Sequence, residues 1–212
     1  MTVELAELSK MITEFGIMIV ICSIFLYAAF RLINMFLKSL DNKLRDKKHD
    51  ELIDIRTSVN EKVQSLIDQF LEEHNSSRIH VVEFSNSVVS VAYLPFKYMT
   101  CTYEVYKVGK SSTASKIDHM STSLFTAFFS KLYNAEYLIL DSKSPDPSLG
   151  RAIYDILDSS GEHKGLYVIL RTCKGKALGY LTVRHCEFDK REIEEVQVLA
   201  SKLSALLGVA DK

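Results

Sequence analysis

Apolar residues run almost without interruption from Phe15 to Leu37, FGIMIVICSIFLYAAFRLINMFL, with Arg31 as the single charge among them. A helix rises about 1.5 Å per residue, so this run matches a hydrocarbon core about 30 Å thick and predicts a membrane-spanning helix. Residues 1–14 place Val3, Leu5, Leu8, Met11 and Ile12 at helical spacing, with Glu4, Glu7 and Glu14 on the other side. That is an amphipathic lead, lying on the membrane surface or extending the helix. Behind the apolar run the pattern changes. Residues 38–58 are highly charged, yet Leu52, Ile55, Val59, Val63, Leu66 and Phe70 recur every three or four positions. The spacing predicts one long helix that is a stalk over 38–58 and then, from Val59 to Leu71, the first helix of a domain spanning 59–212. A short coiled coil between protomers is the other use of the same stripe.

Turn residues His74 to Ser77 end that helix, and the period then shortens to two. Ile79 to Val82 predict a strand, Ser85-Asn86-Ser87 a turn, Val88 to Val91 a second strand and Met99 to Val108 a third, followed by a polar loop from Gly109 to His119. SLFTAFFSKLYN buries Leu124, Phe125, Phe128, Phe129 and Leu132 on a helix, and Tyr137 to Leu140 make a short strand. Pro145 and Pro147 break the next stretch. A helix stopped by Gly161 follows, then a hairpin of GLYVILRTC and ALGYLTVRHCEF, then a last helix capped by Asp189 with Glu192 at the capping-box position. The fold class is α+β: terminal helices bracketing a central antiparallel sheet.

Charge gives the membrane helix a direction. Lys10 stands alone before it, whereas Lys38, Lys43, Arg45, Lys47 and Lys48 follow it, which predicts a cytoplasmic C-terminal side. The acidic lead and the lack of a small-residue cleavage pattern argue against a signal peptide. Arg31 lies near enough to the helix end to snorkel. Gly16, Cys22, Ser23, Ala28 and Ala29 are small and would allow close approach of a second copy. A net charge of -1 without a basic run gives no basis for nucleic-acid binding.

Candidate chemistry is sparse. Of the six histidines, His80, His119, His163 and His185 fall in the domain, and none sits at HxxxH or HExxH spacing. No CxxC, GxSxG, Walker A or GxGxxG occurs, so the sequence predicts no catalytic residue, metal or cofactor. Glu83 and Glu104 fall on adjacent predicted strands and face each other in one register, with an ion-paired or surface role expected. Cys22 lies in the membrane run, and Cys101, Cys173 and Cys186 leave the disulfide state open. Two surfaces are candidates for a partner: Tyr93, Pro95 and Phe96, otherwise a core-closing loop, and the basic hairpin edge of Arg171, Lys174 and Lys176, otherwise a solvated turn.

The order of elements from Val59 to Leu207 resembles the GAF/PAS-like group of sensor and interaction domains. The whole plan of one membrane helix, a charged stalk and a small domain ending in EIEEVQVLASKLSALLG resembles the T-type holins of T-even-like bacteriophages, matched at Leu166 to His185 and Glu192 to Gly208. That second resemblance implies a single-pass inner-membrane protein that oligomerises into lesions for endolysin release and host lysis, with an antiholin or other regulator on its soluble domain. It also implies a periplasmic domain, against the flanking charges. The alternative is a membrane-anchored GAF/PAS-like ligand-sensing or protein-docking module.

Overall fold

A computed structural model describes residues 2–85, 96–159, 161–185 and 187–210. The backbone of Thr2–Glu73 is one uninterrupted helix, α1. Lead, apolar run, stalk and first domain helix are therefore successive parts of a single element. By contacts the chain divides into two units, Met1–Asp54 and Ile55–Lys212. In the first, Gly16, Ala29 and Arg31 are exposed, as are Phe15, Met18, Leu26 and Phe30. Residues 17, 19–25 and 28, Cys22, Ser23 and Ala28 among them, lie outside the residues whose side chains are described. Among the described residues no helix is long and apolar enough to cross a membrane.

The second unit is built on a sheet of β1 (Arg78–Ser85), β2 (Tyr98–Tyr106), β3 (Met120–Ser121), β4 (Leu138–Asp141), β5 (Lys164–Arg171) and β6 (Ala177–Arg184). Its order is β3-β2-β1-β6-β5-β4, and every neighbouring pair is antiparallel. Three further helices, α2 (Thr126–Asn134), α3 (Arg151–Ser159) and α4 (Lys190–Ala210), complete it. The expected strand over Val88 to Val91 lies outside the described residues, as do Asn86 and Ser87 of the expected turn, whose first residue, Ser85, is the last of β1.

Covering both faces of the sheet makes two cores. On one face Val59, Val63, Ile67, Phe70 and Leu71 of α1 and Val196, Leu199, Leu203 and Leu207 of α4 pack on Ile79, Val81, Leu181 and Val183. The two terminal helices thus share a face. His74 Nδ1 lies 3.0 Å from Glu195 Oε2 and ties α1 to α4. Ile55 is exposed, so the helical stripe enters the core only at Val59. On the other face Phe125, Phe128, Phe129 and Leu132 join Ile153 and Leu157 of α3 over Met99, Tyr167 and Tyr180. Aromatic pairs there prefer edge-to-face packing, as in Phe128–Tyr167 at 5.2 Å and 75°.

The capping box of α4 forms as its spacing predicts. Glu192 N donates to Asp189 Oδ1 at 2.8 Å, and Asp189 N donates to Glu192 Oε2 at 3.3 Å. Asp189→Ala is expected to cost about 1 kcal/mol in a denaturant titration followed by circular dichroism.

Candidate functional site

A strand sandwiched between helices buries both of its faces, so the polar members of its alternation are buried as well. In β1 and β6, Ile79, Val81, Leu181 and Val183 point to α1 and α4, which turns Arg78, His80, Thr182 and Arg184 to the opposite face. Arg78, His80 and Arg184 are each only 1% exposed. The register sets Arg78 directly opposite Arg184 and His80 opposite both Thr182 and Glu104. Two like charges facing each other across strands are unfavourable, and more so out of water, so this end of the sheet depends on the anions around it.

Glu104 of β2 is the hub. Its carboxylate accepts from Arg78 Nη1, from the Thr113 amide at 2.8 Å and hydroxyl at 2.9 Å, and from the Ala114 amide at 3.2 Å. His80 Nε2 lies 3.0 Å from Glu104 Oε1. The two amides open the 3-10 turn Ala114–Ile117, which sits inside the expected polar loop. One carboxylate therefore pins the whole segment between β2 and β3 to the sheet. Burial opposes ionisation of Glu104, but bonds from His80, Ser112 and Thr113 outweigh it and hold the carboxyl well below the usual carboxylate range.

Burial lowers the pKa of His80, and its hydrogen bond to Glu104 only partly offsets this. The ring is then neutral, with its proton on Nε2 toward Glu104 and an acceptor at Nδ1 that has no hydrogen-bond partner among the described residues. Because the folded state disfavours the protonated ring, stability is full above the ordinary value of 6.5 and falls as the pH drops through it. Glu104, depressed in the folded state, adds a second loss at lower pH. The unfolding midpoint is expected to decline between pH 7 and 5, with a shallower slope in His80→Gln, read by thermal melts across that range.

The second anion is Glu162, between α3 and β5. Its Oε2 lies 3.3 Å from Arg78 Nε and its Oε1 lies 3.5 Å from Lys110 Nζ. Arg184 is served differently. Its Nη1 donates to the Tyr167 hydroxyl at 2.6 Å, and its guanidinium lies over that ring, 5.0 Å from the centroid. No carboxylate among the described residues pairs with it, and its Nε has no hydrogen-bond partner there. Gly165 across the ladder makes the room: a Cβ would overlap Arg184 Nη1. A pocket of about 350 Å³ opens at this end of the sheet, lined by Ser77, Lys110, Lys143, Glu162, Lys164 and His185 among others.

The sequence-derived candidates fare unevenly. Glu83 and Glu104 do not face each other: Glu83 pairs with Thr100 and accepts from Thr102, whereas Glu104 pairs with His80, three residues back along β1. Phe96 is 3% exposed and stacks on Phe84 at 3.6 Å, so it closes the core and is not a partner surface; Tyr93 and Pro95 lie outside the described residues. Arg171 is half-buried, donating to the Tyr133 carbonyl at 2.8 Å with its guanidinium over that ring, which makes it a brace for the hairpin. Lys174 and Lys176 are exposed. Cys101 and Cys173 are free thiols; burial pushes Cys101 up to about 12, and Cys173 lies in the turn after β5, while Cys186 is outside the described residues.

No family model matches the chain, and no curated protein sequence matches it. Solved structures do, and they are GAF domains. A far-red cyanobacteriochrome photoreceptor superposes with a TM-score of 0.57 at 11% identity, over 82% of this chain and all of that one. The blue-light-absorbing PixJ GAF domain of Thermosynechococcus elongatus gives 0.57 at 14%, over 74% and 89%. The GAF domain region of a protein from Geobacter sulfurreducens gives 0.55 at 12%, over 75% and 99%. At these identities the likeness defines the fold: this chain carries a GAF-like α+β domain.

Proposed function

We propose that the chain is a bitopic membrane protein whose GAF-like domain is a non-catalytic sensing or docking module. The observation that carries this reading is the double role of α1: the element that contains the apolar run also gives Val59, Val63, Ile67, Phe70 and Leu71 to the domain core. A ligand or partner that repacks that core acts on the same helix that reaches the bilayer. The flanking lysines and arginine put the domain on the cytoplasmic side. Gly16, Cys22, Ser23, Ala28 and Ala29 are small residues, of the kind that allow two membrane helices to approach closely. The order of elements that resembles a T-type holin is equally that of a GAF-like domain, so the pore-forming reading gains nothing from the fold.

The test is induced expression of the full chain in a Gram-negative host, following membrane potential, carbonate-resistant membrane association and protease access in spheroplasts. Membrane integration with an intact potential and a protected domain is expected. Abrupt depolarisation at a reproducible time, with the domain cleaved from outside, would overturn the sensing reading in favour of a pore. Recovery in the carbonate-soluble fraction would overturn the anchor.

A further inference from the structure

The side of α1 and α4 that turns away from the sheet is patterned as regularly as the side that packs on it. The two helices run antiparallel: His74 of α1 meets Glu195 of α4 at one end, and Val59 and Leu207 line one pocket at the other. Between them lies a groove of about 460 Å³. On its α1 side stand Leu66, Gln69 and Glu73. On its α4 side stand Arg191, Glu195, Val198 and Lys202. Both series advance by alternating steps of three and four residues, which keeps one line of each helix on the groove, as in a coiled-coil seam. At the middle of the groove Val198 is 55% exposed and Leu66 only partly buried. Carried back along α1 by sevens, Gln69 leads to Lys62 and then to Ile55, which is 44% exposed where the second unit begins.

We propose that this groove is an interface between two copies of the chain, whose α1–α4 pairs close into a four-helix bundle about a two-fold axis parallel to the helices. In such a bundle each α1 has an antiparallel neighbour on both sides, its own α4 and that of the second copy. Leu66 and Val198 of the two copies then make one central apolar layer of four side chains. The charges select a second copy as the occupant. At the His74 end one copy presents an anion on α1, Glu73, and a cation on α4, Arg191, and the two-fold lays each against its opposite in the other copy. Both are steadied within their own helix: Gln69 Nε2 donates to Glu73 Oε1 at 2.7 Å, and Arg191 Nε donates to Glu195 Oε1 at 2.9 Å. Exposed pairs of this kind add little energy and act mainly on which partner and which register is accepted. Two copies anchored through α1 also meet with those helices parallel, as the axis requires. For that alignment the interface rests on the anchored reading; the groove and its charges stand without it. The opposite sides of the same helices form the core on the sheet, so whatever repacks that core reaches the contact between copies.

The experiment is sedimentation velocity of the full chain in a density-matched detergent over a range of concentration, with circular dichroism spectra of the same samples. A reversible dimer is expected. Val198→Glu puts a charge into the central layer and is expected to raise the dimer dissociation constant about thirtyfold or more while the spectrum stays that of the folded chain. Arg191→Glu, at a fully solvated position, is expected to raise it about tenfold. Combining Glu73→Arg with Arg191→Glu in one chain is expected to recover most of that loss, which a general loss of stability would not allow. A monomer at every concentration, or a dimer that Val198→Glu and Arg191→Glu both leave intact, overturns the interface. Carbonate extraction of the same membranes separates the two claims. Recovery in the soluble fraction, with a dimer that Val198→Glu breaks, upholds the interface and removes the anchor; an integral protein that is monomeric overturns the interface and leaves the anchor standing.

Discussion

Replacing Glu104 with Gln is expected to lower the stability of the domain by about 3–5 kcal/mol, the range for leaving a buried ion unpaired, and a large share of the total for an ordinary domain. The amide keeps one acceptor oxygen. It turns an NH2 group toward the Thr113 and Ala114 amides, which already donate, and it removes the charge facing Arg78. Glu83→Gln is the control. That carboxylate stands on the neighbouring strand and accepts from the Thr102 hydroxyl near solvent, so its loss should cost less than about 1 kcal/mol. Guanidinium titrations of the two variants, followed by circular dichroism because the chain has no Trp, give the comparison. Equal effects from both would mean that the cluster is not the structural hub described.

Gly179→Val is expected to be the most damaging single substitution in the sheet, above about 4 kcal/mol, and to leave little folded protein at 37 °C. A Cβ on residue 179 would overlap the carbonyl oxygen of Val82 and lie 2.9 Å from the Cα of Glu83. These are backbone atoms of β1, fixed on its other side by β2 at the irregular pairing of Val81/Val82, so neither strand has room to retreat. Gly175, in the hairpin turn, meets nothing within 4 Å but has φ 80. Gly175→Ala should therefore show only the smaller penalty of a strained turn, about 1 kcal/mol. A pulse-proteolysis series of the two variants distinguishes close approach from turn strain.

Much of this architecture is legible in the sequence because it repeats. The stripe from Val59 to Phe70, the alternation through GLYVILRTC and ALGYLTVRHCEF, and the Asp189/Glu192 box each announce an element and its buried side. The site is harder to read for a physical reason. Arg78, His80, Thr182 and Arg184 occupy alternate positions, with the apolar Ile79, Val81, Leu181 and Val183 beside them, and in a sheet with one wet face that pattern means solvent. Here helices cover both faces, so the same pattern means buried charge; the clue is that β1 and β6 neighbour each other at the centre, which no local window contains. Glu104 is visible as a carboxylate on an adjacent strand, but its partner depends on the strand register, which sets it opposite His80 and leaves Glu83 opposite Thr100. Phe96 carries an exposed-looking aromatic-proline context and is held inside by Phe84, a contact across an interval of chain that the sequence does not close.

The central pairing of β1 with β6 also governs the order in which the chain can fold during synthesis. Arg78 meets Arg184 only after the intervening strands and helices have left the ribosome. Hairpin β5–β6 closes locally, but of the core that covers the apolar flank of α1 only Ile79, Val81 and Val105 are made early, and Leu181, Val183 and the α4 residues come last, so the flank stays partly uncovered for most of translation. A nascent chain halted before residue 177 is therefore expected to be a chaperone client, and release of that interaction should coincide with emergence of α4.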